Sequence, residues 1–230
     1  MKLLLIDTCG ATGTVAIADS EVLLASASLP GRTASERLVP TIRDVAARTS
    51  VPLASLGAIA VVHGPGSFTG VRVGLSAAKG LCEALGLPLV AISRLAVLAH
   101  LASPSAGIPV LALFDAGRGE FYAGFYLGGA CLRESLLTRE ELLAAAHAEP
   151  RSLVVACESA VAESVGALSP RLVSEPTAAD ALPLALRRIQ SKGFDDPATL
   201  DANYLRRTDA EIFAKPTLRA AAKPAGESVR

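Results

Sequence analysis

The residues best placed to do chemistry in this chain form the turn GPGSFTG, from Gly64 to Gly70. It joins a β-type run, AIAVVH, to a helix-period segment, VRVGLSAAKGLCEAL. Backbone N–H groups of such a turn lie near the positive end of the following helix, a geometry that can hold an anion. The turn lacks the Lys-Ser/Thr ending of a phosphate-binding loop. It reads as readily as a tight strand-to-helix connection, with Gly64 and Gly66 for backbone freedom and Ser67 or Thr69 as helix cap. Asp7, followed by Thr8, ends the first apolar run. An Asp at that point can hold a metal-bound water or orient phosphates, or simply bond the backbone of the next turn. Asp7, Thr8, Gly66 and Ser67 are therefore the candidate cofactor contacts, and Asp115 is the counterpart of Asp7 further along.

Other reactive arrangements are excluded by spacing. His63, His100 and His147 lie too far apart for a helical i, i+4 metal site. No GxSxG elbow is present, and His63 beside the glycine turn reads as a strand-end residue rather than a general base. Cys9, Cys82, Cys131 and Cys157 form no CxxC pair and mostly sit in apolar runs, as small buried side chains in a reducing compartment do. Arg118 and Glu120 read as exposed turn charges. No catalytic residue and no metal site are expected.

The elements that must position these residues repeat. Residues 2–7, 14–19 and 21–28 read as a three-stranded meander, followed by a helix at 35–49 with Ser35 as its cap. A strand at 58–63, a helix at 67–85 and a strand at 88–93 complete the first half. The segment LASPSAGIP, residues 101–109, is the best internal boundary. Beyond it come strands at 109–114, 120–127 and 130–135, a helix capped by Thr138, a strand at 152–157 and a helix at 178–192 that fits against either half; residues 165–176 have little regular pattern. Two βββαβα-like units in tandem follow, an α/β fold. The expected division is a lobe at 1–103, a lobe at 104–214 and a mobile tail at 215–230.

The 67–85 helix has more apolar surface than one sheet covers. Its polar stripe is narrow, Arg72, Ser76, Lys79 and Glu83, and the apolar arc is about twice the roughly hundred degrees that a single packing face requires. Val71, Leu75, Ala78, Cys82 and Leu85 can meet the protein's own sheet. Gly70, Val73, Gly74, Ala77 and Leu81 form a second, small-residue flank that is expected to face another partner. Arg72 either lies on the solvated stripe or reaches a carboxylate on that partner.

Composition sets the frame. The chain has 230 residues, about half of them apolar, and equal numbers of acidic and basic side chains, which gives no bulk attraction for nucleic acid or anionic membranes. The N-terminal run has only four consecutive apolar residues before Asp7, too few for a signal-peptide core or a membrane span, so a cytoplasmic address is expected.

Several of these segments, taken in order, resemble a known family. DTCGATGTVAIAD, SERLVP, AIAVVHGPGSFTGVRVGLSAAKGLCEALGLPLVAISRL, DAGRGEFYAGFY and NYLRRTDAE are similar to the TsaB (YeaZ) subunits of the bacterial machinery that makes threonylcarbamoyladenosine in tRNA. The family's common HSERLLP is replaced here by Ala34 and SERLVP. The resemblance implies an actin-like (ASKHA) fold of two RNase H-like lobes. It implies a non-catalytic subunit that supports the transferase TsaD together with the ATPase TsaE, with ATP and a metal bound by those partners and no cofactor of its own. It also implies pairing through the first two helices, with TsaD or with a second copy, and only indirect contact with tRNA. On this sequence the pairing residues would be Leu38, Thr41, Val45, Gly70, Arg72, Val73, Gly74, Ala77 and Leu81. The competing class is an ATP-dependent transferase or kinase using the cleft between the lobes; a peptidase is disfavoured by the histidine inventory.

Overall fold

A computed structural model describes residues 1–29, 33–102 and 107–205. Within them the chain builds two five-stranded sheets of matching topology. In the first, β1 (Lys2–Asp7) is the spine: it pairs antiparallel with β2 (Gly13–Asp19) and parallel with β4 (Ala58–Val62). β3 (Val22–Leu29) and β5 (Leu89–Ile92) form the edges. Burial on both faces explains why β1 and β4 read as unbroken apolar runs, whereas β3, at an edge, alternates. The second sheet repeats the plan around β6 (Val110–Gly117), antiparallel to β7 (Glu120–Leu127) and parallel to β9 (Leu153–Ala156), with β8 (Ala130–Thr138) and the short β10 (Arg171–Leu172) at its edges.

Two helices cover the outer face of the first sheet: α1 (Ala34–Arg48) and α2 (Phe68–Leu85). Ser67 caps α2, its hydroxyl accepting from the Gly70 N–H, and Gly86 ends it in the left-handed conformation. The cap expected at Ser35 is not used. Ser35 lies inside α1, and Thr33 precedes that helix without a side-chain cap bond. On the second sheet α4 (Arg139–Ala148) starts with a capping box between Thr138 and Glu141, as the TREE sequence requires, and α5 (Ser159–Ser164) follows β9.

The remaining two helices exchange sides. α3 (Arg94–Leu101), which follows β5, buries Leu95, Leu98 and Ala99 against Val110, Ala112 and Phe114 of the second sheet. α6 (Leu182–Gln190), from the second half, buries Leu182 and Ala185 on Leu3, Leu5, Val90 and Ile92 of the first. The limits 1–103 and 104–214 thus separate the strands but not the helices. Glu134 on β8 adds a polar tie, accepting from Ser93 ahead of α3, from Tyr126 on β7 and from Asn203. The tail at 215–230 lies outside the described residues. No helix among those described is long and apolar enough to cross a membrane.

The small-residue flank of α2 is used within the chain. Gly66, Gly70 and Gly74, spaced by one helical turn, rest on the loop after β1. A Cβ on Gly66 would overlap the Cys9 carbonyl oxygen, one on Gly70 the Thr8 carbonyl oxygen, and one on Gly74 the Thr8 hydroxyl. That hydroxyl in turn donates to the Gly70 carbonyl at 2.6 Å. Gly70 and Gly74 are therefore internal packing positions, contrary to the expectation that they face a partner. Leu38 and Val45, 1% and 0% exposed, also fill the core beneath α1 and do not reach an outer surface.

Substitution should separate these positions. Gly70→Ala and Gly74→Ala are expected to lower stability toward the upper end of the roughly 1–3 kcal/mol typical of overpacking. Gly80→Ala, in the same helix with nothing within 4 Å of the added Cβ, is expected to raise it by about 1 kcal/mol. Urea midpoints of the three variants check both signs.

Candidate functional site

Parallel strands that end together leave a crevice beyond their carboxyl ends. Here β1, β4, β6 and β9 all run into one cleft of about 930 Å³ between the sheets. Its lining includes Thr8 to Ala11 after β1, Gly66, Ser67, Thr69 and Gly70 at the start of α2, and Arg94 at the start of α3. Phe114, Asp115, Cys157, Glu158 and Glu175 supply the opposite wall.

Arg94 is the central charge. Its side chain is 5% exposed, pairs with Glu175 at 2.8 Å and lies 4.4 Å above the Phe114 ring, while its Nε has no partner among the described residues. Neither Arg94 nor Glu175 stood out in the sequence. The available signal was an arginine inside the apolar run LVAISRLAVLAH, since a charge buried among apolar neighbours requires a partner.

The carboxylates of the cleft serve its walls. Asp7 Oδ1 accepts from the Cys9 N–H at 2.8 Å, and Asp115 Oδ1 accepts from the Gly117 N–H at 2.8 Å, the same i+2 turn at the same place in each half. Glu158 accepts from the Asp115 N–H at 2.8 Å. Asp7 is only 2% exposed and lies beneath the lining rather than in it, so a ligand in the cleft does not meet its carboxylate directly, contrary to its candidacy as a cofactor contact. Burial raises the Asp7 pKa, with Arg94 opposing, and burial likewise raises Glu158. Burial also pushes the Cys9 thiol up, and that thiol donates to the Val62 carbonyl at 3.2 Å. A buried thiol held protonated in this way is weakly reactive. His63 faces the Asp201 carbonyl across 3.2 Å, and His100 and His147 sit on α3 and α4. Among the described residues no group of three His, Cys, Asp or Glu could hold a metal ion.

The other sequence candidates lie on the outside of α1 and α2. Thr41, Val73, Ala77 and Leu81 are half-buried and Arg72 is exposed. Around them Val39 is 44% exposed and Phe68 56% exposed, large apolar side chains that the sequence reading did not select.

Residues 28–153, more than half of the chain, match the family model described as TsaD: tRNA N6-adenosine threonylcarbamoyltransferase. The chain belongs to this family. Within it the chain is of the TsaB (YeaZ) kind. It is 35% identical over 127 residues to the Escherichia coli tRNA threonylcarbamoyladenosine biosynthesis protein TsaB, and 33% identical to that of Bacillus subtilis over the same length. Each match covers 55% of this chain and 55% of the relative, so the chain spans about half the length of the curated relatives it matches. The solved structure of YeaZ from Pseudomonas aeruginosa superposes with a TM-score of 0.74 at 28% identity, over 89% of this chain and 99% of that one. The Lmo2764 protein of Listeria monocytogenes, at 11% identity and a TM-score of 0.51, shares the fold alone. The fold of this TsaB-type chain is the two-lobed, actin-like (ASKHA) one.

The raised Asp7 pKa carries a sign. A carboxyl whose folded pKa lies above its unfolded value favours the folded state below the unfolded pKa, and that contribution is lost as pH rises through the folded pKa. Near neutral pH the Asp7 charge is therefore a cost. Asp7→Asn keeps the acceptor for the Cys9 N–H and is expected to unfold at higher urea than the unsubstituted chain at pH 7. The advantage should shrink as pH falls toward 4, and urea midpoints across that range check it.

Proposed function

We propose that this chain is a non-catalytic subunit for the formation of threonylcarbamoyladenosine in tRNA. It works in the cytoplasm, docks on a TsaD-type transferase through the outer face of α1 and α2, and acts together with a TsaE-type ATPase. ATP and the metal belong to those partners, tRNA is met through the assembly, and a second copy takes the same face when the chain is alone. The observation that carries this reading is the use to which polar groups are put. In the cleft lining Asp115 and Glu158 accept from backbone N–H groups of its own walls and Glu175 pairs with Arg94, while α2 leaves Phe68 and Arg72 on the outside, bordered by the half-buried Val73, Ala77 and Leu81. Two exposed apolar side chains, Phe68 on α2 and Val39 on α1, set among polar neighbours match an apolar interface core within a polar rim. Family membership and the TsaB relatives support the same reading.

A kinase-like use of the cleft is the second reading, favoured by the cleft's volume and the fold. Its lining carries Asp115, Glu158 and Glu175 against one guanidinium, Arg94, which Glu175 already pairs, a charge balance that disfavours a polyphosphate.

Ser76, exposed on α2 beside Arg72, gives the test. Mixing the chain with TsaD from the same organism and measuring the mass of the product should give a stable complex. Ser76→Arg should leave the melting curve unchanged, weaken that complex at least about 10-fold as expected for a bulky group in a packed interface, and reduce t6A formation in the reconstituted system. Calorimetry with ATP and Mg²⁺ on the isolated chain should show no micromolar binding; such binding, lost in Arg94→Met, would establish the second reading instead.

A further inference from the structure

The C-terminal segment of the described chain, which carries part of the motif NYLRRTDAE, crosses the molecule as a strap and touches α2 on the way. Asp195 fixes its start, its N–H donating to the Leu89 carbonyl at 2.9 Å and its carboxylate accepting from the Ala91 N–H at 2.7 Å. Leu200 and Ala202 then pack on the core beneath α1 and α2. Asn203 is held twice, its backbone N–H donating to the His63 carbonyl at 2.8 Å and its side chain to Glu134 at 2.6 Å. Leu205 packs into the core of the second sheet. Anchors on both sides leave Tyr204 projecting outward, 40% exposed.

Tyr204 meets Arg72 there. Arg72 Nε donates to the Tyr204 hydroxyl at 2.6 Å, and the guanidinium carbon lies 3.5 Å from the Phe68 ring centroid and 5.5 Å from that of Tyr204. The two rings are 6.0 Å apart. A long flexible cation is thereby fixed before any partner arrives, which removes much of the entropy cost of using it in an interface. The Tyr204 bond engages Nε and leaves both terminal nitrogens, the donors that take a carboxylate side by side. Among the described residues no carboxylate pairs with Arg72; the ion pairs there are Met1 with Asp19, Arg94 with Glu175 and Arg188 with Asp195.

We propose that Phe68 and Tyr204 hold Arg72 as a preset anchor for a carboxylate on the docking protein, and that the strap is thereby a positioning element of the docking face. The inference rests on the docking reading above and names the chemistry of the partner at that face. Charge complementarity selects the occupant: a fixed cation with no carboxylate partner among the described residues, bordered by half-buried Val73 and exposed Phe68, suits an acidic side chain set in an apolar protein surface. A polyanion needs a basic track, and the α2 stripe that begins at Arg72 ends at Glu83.

The test is calorimetric titration of the full chain with TsaD from the same organism, at low and at high salt. Arg72→Met should weaken binding about 30-fold, as the loss of one member of a desolvated charge pair does, and should flatten the salt dependence. Arg72→Lys should bind at an intermediate level and retain the salt dependence, because it keeps the charge without the fork. Tyr204→Phe, which keeps the ring and loses only the hydroxyl, should weaken binding about 3- to 10-fold, the worth of a single hydrogen bond. Melting curves of all three variants should match the unsubstituted chain. Unchanged binding by Arg72→Met, or weakened binding with unchanged salt dependence, overturns the anchor while leaving the docking reading intact. No complex even with the unsubstituted chain overturns both. Tighter binding by the double variant Asp209→Asn, Glu211→Gln would show that the chain's own acidic residues occupy Arg72, and binding of tRNA to the isolated chain that Arg72→Met abolishes would show a phosphate there; either outcome overturns the proposal.

Discussion

α2 lies against the loop after β1 with no room for a side chain between them, and much else is arranged around that contact. Thr8 and Cys9 lie directly beneath Gly66, Gly70 and Gly74, with the Thr8 hydroxyl bound to the Gly70 carbonyl. Side chains normally keep a packed helix at a distance from the backbone beneath it. With glycine at each of these positions, the first turns of α2 rest directly on Thr8 and Cys9. That contact fixes the wall of the cleft on one side. On the other it decides which residues of α2 remain outside: Phe68 and Arg72 stay exposed because the glycines take the inward positions.

The two halves share more than strand order. The i+2 bond from Asp7 to the Cys9 N–H recurs from Asp115 to the Gly117 N–H, so the duplicated lobe kept the chemistry of its first turn as well as its topology. Within this common frame the halves have diverged in what covers them. The first carries α1 and α2, with apolar and aromatic side chains on the outside, and the second has the shorter α4 and α5. The strap from the other end of the sequence reaches the first lobe, where Tyr204 meets Arg72.

Much of this was legible in the residues. β1, β2, β4 and β7 announced themselves by apolar runs or alternation, and α2 and α4 by period and by the caps Ser67 and Thr138. α3 was missed because RLAVLAHL is apolar on nearly every side, buried between two sheets, and so shows no period. α5 and β10 are too short to register. The meaning of the glycine stripe was misjudged for a physical reason. Small residues one turn apart announce close approach, but nothing in their spacing says whether the approaching backbone belongs to the same chain. Leu38 and Val45 were misplaced similarly, since an apolar position at helical spacing reads alike whether it meets a sheet or a partner. Arg94 and Glu175, separated by 81 positions, could be joined only by the fold.

The exchange of α3 and α6 bears on how the chain can be divided. Each half lends the helix that closes the inner face of the other's sheet, so a fragment cut at the junction would leave Leu3, Leu5, Val90 and Ile92, or Ala112 and Phe114, open to water. Neither fragment keeps both faces of its own sheet covered. The halves form a reciprocal clasp, each sheet completed by a helix from the other half of the chain.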